Sequence, residues 1–457
     1  MSWSQDHSAK ASGLLKNIGE EDLTEEVRRS VVCTVCGCCC DSLEVTVKDN
    51  TVSSVKNACA MSTSKLLSYR NERLTQPTIR LKKGPSACSY ARAVDFTAKT
   101  LAKSRSPLLY GWSLTSCEAT EVGVELAEEA GGFIDNTTST CHGPAILGIH
   151  EIGESSCTLG EIRHRADLIV YWGANPVHAH PLHMPRYTVL SKGRFRRSRS
   201  ERTLIVVDVR RTDTSKLADI FVQTEPNKDY ELLSALRAAV RGDEIEQDQV
   251  AGVPTEKIEE IAERMINCEF GALFFGLGLT MSAGKNENID AALSLVSELN
   301  SKTKFVIMPM RGHFNVNGAN NVTTWLTGYP YAVDFTQGFP RYSPGETSAV
   351  DLLSRGECDS ALIVASDPVS NLPYPAARHL TSIPLISIDP HVTPTTMCSD
   401  VVIPSAHVGI ETTGTVYRMD GVVLETRKLV DPPKGVKTDV EVLNAILRRL
   451  KSIRRKG

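Results

Sequence analysis

The sequence predicts an α/β protein: two doubly wound αβα units preceded by a small cysteine-rich hairpin domain. Three observations carry this. From Tyr90 onward, short and nearly continuous runs of Val, Ile, Leu and Phe alternate with stretches of helical apolar spacing; strands that are apolar throughout are covered on both faces, which means parallel sheets flanked by helices. Two blocks also echo one another. Trp172-Gly173-Ala174-Asn175-Pro176 followed by Val207-Asp208-Val209-Arg210-Arg211-Thr212 resembles Ala365-Ser366-Asp367-Pro368 followed by Ile388-Asp389-Pro390-His391-Val392-Thr393. In each, one strand ends in a small residue, a polar residue and a proline, and the next ends in an aspartate, as in paired doubly wound units with pseudo-twofold sites. Finally, Leu43 to Val55 alternates apolar and polar residues around Asp49-Asn50, the pattern of a β-hairpin.

At 457 residues the chain can bury a large core and should hold about three domains. A net charge of −3 gives no reason to expect nucleic acid or an anionic membrane, and no apolar run reaches the ~18–20 residues of a membrane span. Residues 1–30 are polar, lack an apolar core and read as an arm rather than a signal peptide. Arg28-Arg29 superficially suggests a twin-arginine signal, but it runs straight into the cysteines. Thirteen cysteines, an odd number with several adjacent, suit metal ligands in a reducing compartment better than a disulfide framework, so the expected location is cytoplasmic.

In chain order, the first element is the cysteine cluster. Cys33, Cys36 and Cys40 stand at C-x2-C-x3-C, and the hairpin would return the chain so that Cys59 lies beside them. Zinc sites usually present two separated pairs of ligands; a tight triplet with a distant fourth cysteine favours a four-cysteine [4Fe-4S] cluster over zinc, a disulfide knot or inert thiols. Cys38 and Cys39 leave the register ambiguous, and the reading taken is Cys33, Cys36, Cys40 and Cys59. After a mixed stretch from Ser62 to Leu74, Pro77 and Lys82-Lys83-Gly84-Pro85 mark a boundary, giving an iron–sulfur domain over 31–87. Tyr90 to Lys103 and Glu118 to Ala130 have helical spacing, with a buried strand at Pro107 to Gly111 between them. Further strands are expected at 167–173, 203–208, 271–276, 304–308, 360–365 and 384–389. The first αβα domain is then discontinuous, 88–150 with 313–430, and encloses the second, 151–312. Residues 431–457 form a helical tail. Lys192 to Arg202 holds six basic residues in eleven and reads as a solvated loop, with a partner-docking loop as the minority reading.

In open α/β sheets ligands bind beyond the carboxyl ends of the strands. Asn175, Asp208, Arg210, Thr212, Asp367, Asn371 and Asp389 all stand there. Any one could merely cap a helix, but their repetition in matching blocks points to two nucleotide-like sites, with carboxylates suited to a purine amine or a ribose hydroxyl. Gly276-Leu277-Gly278 would permit close approach to a phosphate, although G-x-G alone is a weak signal. Thr140-Cys141-His142-Gly143-Pro144 places a cysteine and a histidine on a turn; the thiol could be a nucleophile, a metal ligand or simply buried.

Together these motifs, with His180-Pro181, Lys216-Leu217-Ala218-Asp219, Ser399-Asp400-Val401-Val402-Ile403-Pro404 and Gly414-Thr415, resemble the molybdopterin oxidoreductases of the formate dehydrogenase type from about Val32 to about Val423. The shortness of the chain, Cys141-His142-Gly143-Pro144 and Met310-Arg311-Gly312-His313 point to a branch whose catalytic subunit works inside an archaeal complex. The resemblance implies one [4Fe-4S] cluster, two molybdopterin guanine dinucleotides in the paired sites (contacted by Asn175, His180, Asp208, Arg210, Thr212, Gly276, Gly278, Asp367, Asn371 and Asp389), and tungsten or molybdenum with a sulfido ligand, bound by Cys141. His142 and Arg311 would flank the metal. Two-electron reduction of CO2 to formate would follow, with formate passed to an amidohydrolase-like subunit. The C-terminal β-barrel domain of the larger relatives is expected to be lacking and supplied by another subunit, with ferredoxin-like subunits delivering electrons.

Relatives carry a lysine just after the fourth cluster cysteine. Here Ala60-Met61-Ser62 follows Cys59, and either Lys65 takes that place or the electron path differs. The rival readings are a formate dehydrogenase proper, a non-redox scaffold in a formyltransferase–hydrolase complex, and a structural zinc protein.

Overall fold

A computed structural model describes residues 25–82 and 84–456. Most of the segment read as an N-terminal arm lies outside these residues. Its end does not: Glu25–Val31 is a strand, antiparallel to Leu43–Lys48, which pairs in turn with Thr51–Lys56. The hairpin turn at Asp49-Asn50 has positive φ at both residues (48° and 55°), the conformation that a two-residue turn between twisted strands requires and that Asp and Asn tolerate. The small domain is therefore three-stranded; in its first strand only Val31 is buried, so no apolar alternation marks that strand in the sequence.

Five parallel strands form a second sheet in the order Ile220–Gln223, Thr203–Asp208, Leu168–Trp172, Gly271–Phe275, Phe305–Pro309. The chain winds outward in one direction from Leu168–Trp172 and in the other from Gly271–Phe275, so a topological switch point falls between these two strands. A nine-stranded mixed sheet is built around the parallel order Phe133–Asn136, Pro107–Gly111, Ser360–Val364, Leu385–Ile388, Val401–Ile403. Its switch point lies between Pro107–Gly111 and Ser360–Val364. There the backbones are so close that a Cβ on Gly111 (φ 131°) would stand 2.0 Å from the Val364 carbonyl oxygen. All the central strands are buried along their whole length, as their unbroken apolar sequences require.

Two expected boundaries move. Thr78–Leu81 and Gly84–Ala87 do not stay with the cysteine domain; they extend the nine-stranded sheet by pairing antiparallel to Val401–Ile403 and to each other. The C-terminal segment is no loose tail either. Helix Asp439–Arg454 opens with a capping box, Thr438 and Glu441, and buries Val442, Leu443, Ile446, Leu447 and Leu450 against helices Tyr90–Lys103 and Cys117–Ala130. Each buried side chain contributes roughly 1.5–3 kcal/mol, so this helix closes one face of the nine-stranded sheet. The basic stretch 192–202 is mostly exposed, as a solvated loop should be, except for Arg202. That guanidinium is buried and donates to the carbonyls of Ala166 (2.8 Å) and Arg163 (2.6 Å), tying the loop to the sheet. No helix among the described residues is long and apolar enough to cross a membrane.

Candidate functional site

The cysteine loop is closed by two backbone bonds, Cys33 N to Cys40 O (2.8 Å) and Cys39 N to Cys36 O (3.0 Å). Cys59 precedes helix Ala60–Ser68, where the sequence pattern alone suggests no more than a mixed stretch. All thirteen cysteines are free, which removes the disulfide reading. The thiols of Cys33, Cys36 and Cys59 all bear on Cys40, whose pKa burial pushes up to about 12. They interact without converging on one point: among the described residues no three His, Cys, Asp or Glu side chains could hold a single metal ion. Four neighbouring thiols are a donor set that soft metals such as iron and zinc take. Cys38 and Cys39 are fully buried, and the Cys38 thiol lies against that of Cys36. Cys39, at φ 36°, donates its thiol to the Phe314 carbonyl (3.1 Å), and Cys38 is fully buried near Tyr171.

Lys65 sits between this loop and a cavity of about 470 Å³ at the carboxyl ends of the nine-stranded sheet. Its Nζ donates to the Thr34 carbonyl (2.5 Å), and burial lowers its pKa. The cavity is lined by Asp367, Asp389, His391, His407 and Asp439 among others. Asp389, from the end of strand Leu385–Ile388, accepts from the His391 amide (2.8 Å), and burial raises its pKa to about 7. Asp367 is engaged locally, accepting from Thr395 Oγ1 (2.6 Å) and Ser370 Oγ (2.6 Å), while Asn371 merely donates to the Asp367 carbonyl (2.8 Å). Tyr69 Oη, His407 Nε2 and Asp439 Oδ1 are buried with no partner. Three orphaned polar atoms on one cavity are what a polar ligand would satisfy, so these residues fit a nucleotide-like cofactor.

At the switch point of the five-stranded sheet the expected residues divide. Asp208 is half-buried, with its pKa raised by burial, and Arg210 is exposed beside it. Asn175 accepts from Thr214 Oγ1 (2.7 Å) and Thr212 exchanges bonds with Ser215, so both side chains organise their own turns. Gly276 and Gly278 have a structural reason of their own. A Cβ on either would lie 2.5–2.6 Å from the Gly173 backbone, so these glycines let two strand-end turns pack together.

Cys141 and His142 leave the 3-10 turn Thr137–Thr140 just before helix Gly143–Ile152. Thr280 Oγ1 bonds the Cys141 carbonyl (2.9 Å) from the loop beyond Gly271–Phe275. The Cys141 thiol is pushed up to about 11 by burial, against the pull of Arg311. His142 is fully buried, and its pKa falls to about 3 through desolvation and the nearby Arg311. Its Nε2–H donates to the Met310 carbonyl (3.2 Å), a bond that fixes the tautomer and leaves Nδ1 as a buried acceptor with no partner. Arg311 follows strand Phe305–Pro309. It is 5% exposed, and its Nε and Nη1 have no partner within the protein, which leaves two buried donors for an anionic ligand to satisfy. His180, expected against a cofactor, donates from Nε2 to the Arg311 carbonyl (2.8 Å), which positions that residue, and keeps a buried Nδ1 with no partner. Glu154, absent from the residues expected on sequence grounds, lines a cavity with Arg311; its pKa is raised to about 7 by burial, against Arg311. Its one sequence signal is a glycine ending a helix two residues before paired serines, which is weak.

A polar cavity at the strand ends of the nine-stranded sheet, a cysteine-rich loop beside it and a buried cysteine near an unpaired arginine define a class. The molybdopterin oxidoreductase family matches residues 73–449, and the chain belongs to it. Within that family it groups with a subunit of formylmethanofuran dehydrogenase, an oxidoreductase. It is 51% identical over 432 residues to a tungsten-containing formylmethanofuran dehydrogenase 2 subunit of Methanocaldococcus jannaschii, covering 94% of this chain and 99% of that one. Against the same-named subunit of Methanococcus maripaludis it is 48% identical, covering 93% and 99%. Formate dehydrogenase H of Escherichia coli is 24% identical over 69% of this chain and 50% of its own. The fold is shared with a chain of the formyltransferase/hydrolase complex (FhcABCD) of Methylorubrum extorquens, at a TM-score of 0.68 and 22% identity over 83% of this chain and 99% of that one.

Proposed function

We propose that this chain is the catalytic subunit of a complex that interconverts CO2 and formate, handing formate to an amidohydrolase-like subunit for condensation with methanofuran. The observation that carries the reading is Arg311, a buried guanidinium with two unpartnered nitrogens beside Cys141 and His142. A planar fork of this kind matches a carboxylate bidentately. The identity of about half the residues to tungsten-containing subunits supports tungsten, with molybdenum as the alternative.

When bound, tungsten or molybdenum with two molybdopterin guanine dinucleotides and a sulfido ligand would supply the two-electron chemistry, and a [4Fe-4S] cluster the one-electron chemistry. Cys141 is the protein ligand in this reading, and Cys33, Cys36, Cys40 and Cys59 hold the cluster. Arg311 orients the carboxylate and stabilises charge developing on its oxygens. His142, held neutral with Nδ1 free, is set to accept a hydrogen bond there from a protonated group at the site. Lys65 lies between the cysteine loop and the Asp389 cavity, where it can bridge cluster and pterin. Asp389 and Asp208 are the carboxylates suited to the two guanine bases. Ferredoxin-like subunits deliver electrons in this reading.

The likeness to the formyltransferase/hydrolase chain favours a second reading, a non-redox scaffold. Formate-dependent reduction of a viologen dye by the anaerobically purified complex separates the two. The proposal expects turnover, lost together with the heavy metal in an assembled Cys141→Ser complex. A complex that makes and cleaves the formyl group but never transfers electrons from formate would leave only the scaffold.

A further inference from the structure

The helix that begins after Cys141-His142 ends at Gly153, whose φ of 87° turns the chain sharply out of the helical path. The next residue is Glu154. The Ser155 carbonyl then accepts from the Ile307 amide (2.9 Å), fastening this segment to strand Phe305–Pro309, the strand that delivers Arg311. One backbone bond thus fixes the spacing between a carboxyl and a guanidinium that reach the site from different elements. Both line a polar cavity of about 280 Å³, and yet Arg311 Nε and Nη1 remain without partners.

We propose that Glu154 is a carboxyl switch for the substrate: protonated, it donates a hydrogen bond to formate held by Arg311, and ionised, it competes with formate for that guanidinium. The inference rests on the formate reading above. Formate bound by Arg311 presents a second oxygen and asks for a donor, and a neutral carboxyl is the group that supplies one without adding charge. Once ionised, the same carboxyl is an intramolecular rival ligand, and the product leaves. The cavity's other titratable groups do not take this role. Asp420 is held by Arg418 (2.7 Å) and accepts from the Leu159 amide, His150 is exposed at the rim, and helix Val316–Thr327 contributes only Asn317, Asn320, Asn321 and Thr324. Burial and Arg311 acting in opposite directions leave Glu154 titrating near neutrality, where the switch would operate.

The test is the KM for formate of the intact complex from about pH 6 to 8.5, with viologen as acceptor. Wild type should hold a constant KM at the acid end and then rise by up to about tenfold per pH unit as Glu154 ionises. Glu154→Gln keeps a donor that cannot ionise, so its KM should stay flat within about twofold across this pH range. Glu154→Asp should restore the rise. In the formate-bound complex, an infrared band of a protonated carboxyl should be present in wild type and absent from Glu154→Gln. Formate turnover with an unchanged pH-dependent KM in Glu154→Gln overturns the switch and leaves the functional reading intact. Absence of formate turnover in wild type overturns both.

Discussion

Replacing Arg311 with lysine keeps the charge and removes the fork. The guanidinium offers two buried, unpartnered donors, Nε and Nη1, from a backbone fixed by His180 (2.8 Å). A hydrogen bond to a charged group contributes roughly 1.5–3 kcal/mol, so a carboxylate bound across one edge of the guanidinium, Nη2 together with Nε or with Nη1, is held by about 3–6 kcal/mol. Lysine is a point donor on a flexible stem and satisfies one of the two. Losing one bond should therefore lower kcat/KM for formate by about 10–100-fold in Arg311→Lys, at about 1.4 kcal/mol per tenfold. Arg311→Met loses both bonds and the charge, and should fall by a further ten- to hundredfold. The assay is formate-dependent viologen reduction by the assembled complex, with bound metal measured in parallel to show that the site is loaded. Full metal occupancy with Arg311→Lys within twofold of wild type would refute the reasoning, because a fork that contributes nothing is not holding the carboxylate.

Other parts of the molecule are open to test. Arg73 and Glu411 form an ion pair at 2.6 Å with side chains 5% and 1% exposed, and Arg73→Ala, which strands the carboxylate, should destabilise the chain by about 3–5 kcal/mol in denaturant unfolding. His407 is held neutral by burial, its pKa depressed to about 2 against ~6.5 unfolded, so the unfolded chain takes up the proton first and stability falls as pH drops below about 6.5. Hydrogen exchange of the complex at pH 7, 6 and 5 should show His407→Phe reducing this slope by up to about 1.4 kcal/mol per unit. Gly278→Ala pushes a Cβ to within 2.6 Å of Gly173 Cα and should cost about 1–3 kcal/mol in thermal stability. Cys40→Ser should lose about four iron atoms per chain while Cys38→Ala keeps them; the reverse outcome would move the cluster register.

Much of the fold was legible because buried parallel strands leave a local signature. Thr203–Asp208, Pro107–Gly111 and helix Tyr90–Lys103 lie where their apolar patterns put them. What escaped depends on partners distant in the chain. Glu25–Val31 becomes a strand only because Leu43–Lys48 is beside it, and Thr78–Leu81 joins the large sheet only through Val401–Ile403. The site divides in the same way. Cys141, His142 and Arg311 stood out as a set only through the family resemblance, and the structure places them near one another. His180, Thr212, Gly276 and Gly278 stood at strand ends where ligands bind, but their side chains or missing side chains answer to neighbouring backbone, which no local pattern encodes. Glu154 was invisible for the converse reason: one glutamate after one glycine carries no signal until Ile307 fixes where it goes.

The central claim is that this chain carries a redox metal centre and an iron–sulfur cluster. Elemental analysis of the anaerobically purified complex, per copy of this chain, tests it most directly. The account predicts about one atom of tungsten or molybdenum and at least about four of iron. Zinc in the absence of either heavy metal would contradict it.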